Sequence, residues 1–150
     1  MKADSNRNID FNPFWGKGMN VIVCIDDRGG MLFNHRRQSS DKIVTEYIAN
    51  MAKDSRLLVT PYTAKLFQES VVISSACPWE MAGEKDYCFV ENLDISPVMK
   101  IAHRIILFRW NRVYPADLYF PLEELKNRKL VDRQEFAGNS HERITMEVYA

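Results

Sequence analysis

The stretch MNVIVCIDDRGGMLFNHRRQSSDKIVTEYIANM, residues 19–51, sets the architecture of this chain. Its first part, Asn20-Val21-Ile22-Val23-Cys24-Ile25, is an unbroken apolar run. Such a run suits a strand buried on both faces, in the middle of a parallel or mixed sheet. It stops at Asp26-Asp27-Arg28-Gly29-Gly30, a loop signal. The last part reads as a helix over residues 40–51. Ile43, Val44, Tyr47, Ile48 and Met51 form one apolar stripe, while Lys42, Glu46 and Asn50 take the wet side. Ser39, Ser40 and Asp41 are all N-cap residue types. A carboxylate, Asp41, therefore stands where a sheet-covering helix begins.

The rest of the chain repeats this alternation. Arg56-Leu57-Leu58-Val59-Thr60 reads as a strand, and Pro61 opens a short helix. Residues 71–75 and 87–90 read as strands, with a loop over residues 76–86 between them. Ser96-Pro97 opens a brief helix, and residues 104–110 form a strong strand. Residues 112–127 are a long connection with a helical turn at residues 122–126. Residues 130–137 and 142–149 are strands joined by Gly138-Asn139-Ser140, hence antiparallel. Strands alternating with helices imply a parallel sheet. The expected fold is α/β, a three-layer α/β/α domain with a central mixed, mostly parallel sheet and a C-terminal antiparallel hairpin.

At 150 residues the chain is one domain with a sizeable core. Formal net charge is zero, so no global field draws it to nucleic acid or an acidic membrane surface. No apolar run reaches the roughly 18–20 residues a membrane span needs. Cys24, Cys77 and Cys88 are odd in number and match neither a disulfide framework nor a zinc site, which points to a reducing, cytoplasmic setting. Residues 1–18 read as an extension to a domain at residues 19–150. Gly16-Lys17-Gly18 before Met19 is what a purine-rich ribosome-binding site would encode, so Met19 is the expected native start. The alternative is a real arm that packs Phe11, Phe14 and Trp15 on the body.

Three short motifs in their order along the chain carry a resemblance. They are Ala116-Asp117-Leu118-Tyr119-Phe120-Pro121, then Glu135-Phe136, then Asn139-Ser140-His141 before an alternating last strand. With the opening strand ending in Asp, the Gly-containing loop and the acidic start of the first helix, this order resembles dihydrofolate reductase over residues 19–149. The resemblance implies a catalytic carboxylate at Asp41, partly buried with a raised pKa, that helps protonate a pterin ring. The ordinary alternative for Asp41 is a helix N-cap. It also implies cofactor contacts at Thr63, Ser74 and Ser75, with NADP as the cofactor.

Departures from the family pattern weigh against that cofactor. A glycine triplet that lets backbone approach phosphate is replaced by Val90-Glu91-Asn92. The Gly-Arg before the second helix reads Thr60-Pro61, and a strand–helix unit before Tyr87 looks deleted. Arg36 and Arg37 in the polar loop are candidates for gripping an anionic ligand, with Tyr47 beside them; a solvated loop is the alternative. Asp26 and Asp27 point apart and do not suggest a metal. His141 reads as a structural hydrogen-bonder, and no serine stands in a nucleophile elbow. Trp79 is expected at the surface as a partner mark.

Three functions follow as expectations. The first is a divergent, non-catalytic or small-ligand-binding protein with degraded dinucleotide motifs. The second is an NADPH-dependent reductase of a pterin-like or other small heterocycle. The third is an interaction module or homo-oligomeric scaffold whose partner covers the gap left by the missing strand–helix unit.

Overall fold

The buried strand at the start is the axis of the molecule. The structure, a computed structural model, describes residues 18–150. The expectations about residues 1–17, the packing of Phe11, Phe14 and Trp15 included, lie outside it. In chain order the strands are β1 (Asn20–Ile25), β2 (Gly30–Phe33), β3 (Arg36–Arg37), β4 (Leu57–Val59), β5 (Val72–Ser74), β6 (Tyr87–Phe89), β7 (Arg104–Arg109), β8 (Leu118–Tyr119), β9 (Leu130–Phe136) and β10 (Ile144–Tyr149). The helices are α1 (Lys42–Met51), α2 (Pro61–Ala64) and α3 (Pro78–Met81).

Seven strands form the main sheet in the order β9-β10-β7-β1-β6-β4-β5. β1 pairs parallel with β6 and β7, and β4 pairs parallel with β5 and β6. β10 is antiparallel to both β7 and β9. The sheet is therefore mixed and mostly parallel, with the antiparallel pair at the C-terminus. β1 shows why it is central. Val21, Val23 and Ile25 are wholly buried in one core cluster, and Ile22 in the other. Period-two alternation sends the strand's side chains to two separate cores, and both are apolar.

One face is covered as the stripe on α1 requires. Val44 and Ile48 pack with Ile22, Phe89 and Phe108, and Leu66 and Phe67 after α2 extend that layer. The other face has no long helix. It is closed by Ile95, Val98 and Met99 around the 3-10 turn Ser96–Val98, and by Met31, Leu32 and Phe120. Arg128 ties this layer down, donating to the carbonyls of Met99 (2.7 Å) and Ala102 (2.6 Å) that the turn leaves without helical partners.

Two expectations are corrected. The loop expected at residues 76–86 contains α3, and Trp79 on it is half-buried against the core rather than a surface mark. Within that loop Asp86 is buried, 7% exposed, and accepts from Arg56 Nε (3.0 Å) and Gly83 N–H (2.7 Å). The second concerns residues 30–37 and 118–119, which form an unforeseen three-stranded sheet, β3-β2-β8. Its β2–β3 hairpin turns on Asn34 (φ 52°) and His35 (φ 64°). Two consecutive left-handed residues make the tight turn whose twist matches paired strands.

Candidate functional site

Two buried carboxylates organise the space where α1 meets the sheet. Asp41 is the N-cap of α1, with extended backbone, and accepts from Ile43 N–H at 2.9 Å. It also accepts from the Asn139 and Ser140 amides, both at 2.9 Å, and lies 2.8 Å from His141 Nδ1. Gly138 is required beside it: a Cβ there would stand 2.5 Å from Asp41 Oδ2. Burial alone would raise the Asp41 pKa. The hydrogen bonds from Asn139, His141, Ser140 and Ile43 outweigh burial and hold the carboxyl well below the usual carboxylate range. This reverses the raised pKa expected of a proton donor, because the turn from residues 139–141 stabilises the anion.

His141 is 5% exposed and stacked on Trp110, centroids 4.6 Å apart at 22°. Its Nε2 meets Ser39 Oγ at 2.9 Å and Tyr114 Oη at 3.4 Å. Asp26, 1% exposed, does for the β1–β2 loop what Asp41 does for α1. It accepts from the amides of Arg28 (2.8 Å), Gly30 (2.8 Å) and Tyr114 (3.0 Å), and from Gln38 Nε2 (3.1 Å). Burial pushes its pKa up, and the four bonds bring it below normal.

The second carboxylate is Glu91, 7% exposed just past the end of β6. Arg37 grips it with Nε at 2.8 Å and Nη2 at 3.0 Å, a forked pair. Thr63 donates its hydroxyl to the same carboxylate at 2.7 Å. The Arg37 guanidinium also lies over the Tyr62 ring, 4.4 Å from its centroid. Beside this cluster Thr60 caps α2 and bonds Asn92 at 2.9 Å.

The expected site residues do not converge. Arg36 is exposed on β3, and Arg37 is bound to Glu91. Tyr47 faces the C-terminal strands instead: its hydroxyl donates to Gln134 (2.9 Å) and its ring stacks on Phe136 at 5.2 Å. Ser74 is exposed on β5, and Ser75 Oγ accepts from Cys77 N–H at 3.3 Å. Thr63 alone of the three cofactor candidates reaches the Glu91 cluster. The cleft between Asp41, Val44, Phe89, Glu91 and Trp110 holds about 10 Å³, room for at most one water. A wider concavity, 240 Å³, is lined by Phe33, Asn34, Arg36, Arg37, Gln38, Tyr114 and Pro115. Among the described residues no cluster of three His, Cys, Asp or Glu side chains suits a metal ion, and no helix is long and apolar enough to cross a membrane.

Sequence reasoning missed Ser39 and Glu91 as partners. Ser39 shows no motif, because its histidine is 102 positions away. The signal for Glu91 was present, as an acidic residue in a place where the resemblance calls for glycine.

The chain is an α/β protein whose polar clusters lie where parallel strands end, the usual ligand side of such sheets. No family model matches the sequence, and no curated protein matches it either. Among solved structures it is similar to the dihydrofolate reductase of Enterococcus faecalis complexed with NADP(H) and RAB-propyl. The TM-score is 0.65 at 9% identity, over 90% of this chain and 96% of that one. The fold is that of dihydrofolate reductase.

Proposed function

We propose that the chain is a small-ligand-binding protein on a dihydrofolate reductase scaffold that has lost dinucleotide-dependent reduction. One observation carries this reading. At the position where the resemblance expects backbone to cradle a phosphate, the Glu91 carboxylate stands buried, held by Arg37 and Thr63. A fixed anion there repels phosphate, and the cation and hydroxyl that would compensate are both spent on it. The residues present do not fit NADP. Asp41, ionised and saturated with donors, is poorly suited to give up a proton near neutral pH. The narrow cleft beside it argues against a pterin-sized ligand at that place.

The reading places the ligand in the 240 Å³ concavity instead, with exposed Arg36 facing an anionic group and Tyr114 and Phe33 as apolar walls. Titration with NADPH, followed by tryptophan fluorescence and calorimetry, is the test. No binding up to millimolar cofactor is expected; micromolar binding would overturn the proposal. A second reading, self-association, is favoured by edge strand β9, where Leu130 and Val131 are each 45% exposed. Light scattering that finds a monomer at every concentration would dispose of it.

A further inference from the structure

We propose that Ser39, His141 and Asp41 form a nucleophile–base–carboxylate relay that takes the acyl group of a small anionic ester. Ser39 Oγ lies 2.9 Å from His141 Nε2, and Nδ1 of the same ring lies 2.8 Å from Asp41 Oδ2. Both distances are those a serine, its general base and the base's orienting acid require. The ionised Asp41 keeps the proton on Nδ1, which leaves Nε2 as the acceptor facing the hydroxyl. Stacking on Trp110 fixes the plane of the ring. The Asp41 carboxylate is itself held by the amides of Ile43, Asn139 and Ser140.

Capping α1 needs Asp41 alone; it needs neither the histidine nor the hydroxyl on the far side of the ring. Ser39 itself lines the narrow 10 Å³ cleft with Asp41 and Trp110, and Tyr114 is the residue that links the relay to the wider concavity. Ser39 is partly exposed, and Tyr114 Oη touches the same Nε2 at 3.4 Å while its residue lines the 240 Å³ concavity with Arg36.

The step balances without a cofactor. Ser39 Oγ bonds the ester carbonyl carbon as its proton moves to Nε2. The bond to the alcohol oxygen breaks, and the departing alkoxide takes that proton. Water then attacks the acyl-serine by the same route, releasing a carboxylic acid and restoring the hydroxyl. The anionic character of the substrate rests on the ligand reading above; the relay does not.

Full-length protein is incubated with a fluorophosphonate, and the adduct is mapped by mass spectrometry. Release of p-nitrophenol is then compared for p-nitrophenyl acetate and the mono-p-nitrophenyl ester of succinic acid. One adduct at Ser39 and faster turnover of the succinate ester are expected. Ser39→Ala should lose the adduct and slow release on the order of a hundredfold or more, while Ser55→Ala keeps both. Folded wild-type protein with no adduct at Ser39 would overturn the relay. If it still shows a succinate-induced thermal shift that Arg36→Glu abolishes, the ligand reading survives that failure. An adduct at Ser39 with equal turnover of the two esters would sink the anionic substrate and keep the relay.

Discussion

Asp41 and Glu91 are both carboxylates withdrawn from water near the same end of the sheet, and they are satisfied by different kinds of partner. Asp41 is held chiefly by backbone amides, from Ile43, Asn139 and Ser140, with His141 added. Glu91 is held by side chains alone, Arg37 and Thr63. Backbone donors cannot be exchanged by mutation, so Asp41 is bound into the fold. Side-chain donors are free to serve another anion if Glu91 is removed. The contrast separates a carboxylate that builds the structure from one that occupies a place.

The largest effect should come from Asp41→Ala. It strands buried amides and the His141 ring, so a loss of about 3–5 kcal/mol in urea unfolding is expected. That is a large share of a typical domain's stability. A loss under ~1 kcal/mol would erase the contrast. The same residue sets an acid limb. Its folded pKa is depressed, so the unfolded chain takes up the proton first. Its contribution is full above roughly pH 5 and lost as pH falls through the ordinary carboxylate range toward the folded value. Asp41→Asn should flatten that limb in melts run between neutral and acidic pH.

Glu91→Gln should cost less, roughly 1–2 kcal/mol, because the partly exposed Arg37 can rehydrate. Glu91→Gly sharpens the contrast further. It frees Arg37 and Thr63 together, and a thermal shift with pyrophosphate is expected in this variant and absent in the wild type. The smallest effect is set by Arg133, whose pair with Glu135 is exposed at 51% and 36%. Arg133→Ala should change stability by less than ~0.5 kcal/mol.

Local pattern made the scaffold readable. The β1 run and the α1 stripe carry their own periodicities, and each decides one layer. The three-stranded sheet was not readable, since β3 and β8 are two residues each and announce no period. Asp41 was recognised as a helix cap from its neighbours. The direction of its pKa was not, because the amides that set it come from residues 98 and 99 positions away. The forked pair of Arg37 with Glu91 spans 54 positions for the same reason. Charge and burial in this site are properties of contacts between distant segments, which no window of sequence contains.

Gly138 lets the turn at residues 139–141 press against the start of α1, and this has a consequence for how the nascent chain matures. The first long helix emerges during synthesis without the amides that complete its cap. Those amides follow about a hundred residues later, a delay on the order of 5–20 s at typical elongation rates. Until then α1 must wait, half-finished, with its acidic end open to water. The turn at residues 138–141 thus acts as the latch on α1, and the domain locks only when these distant segments meet.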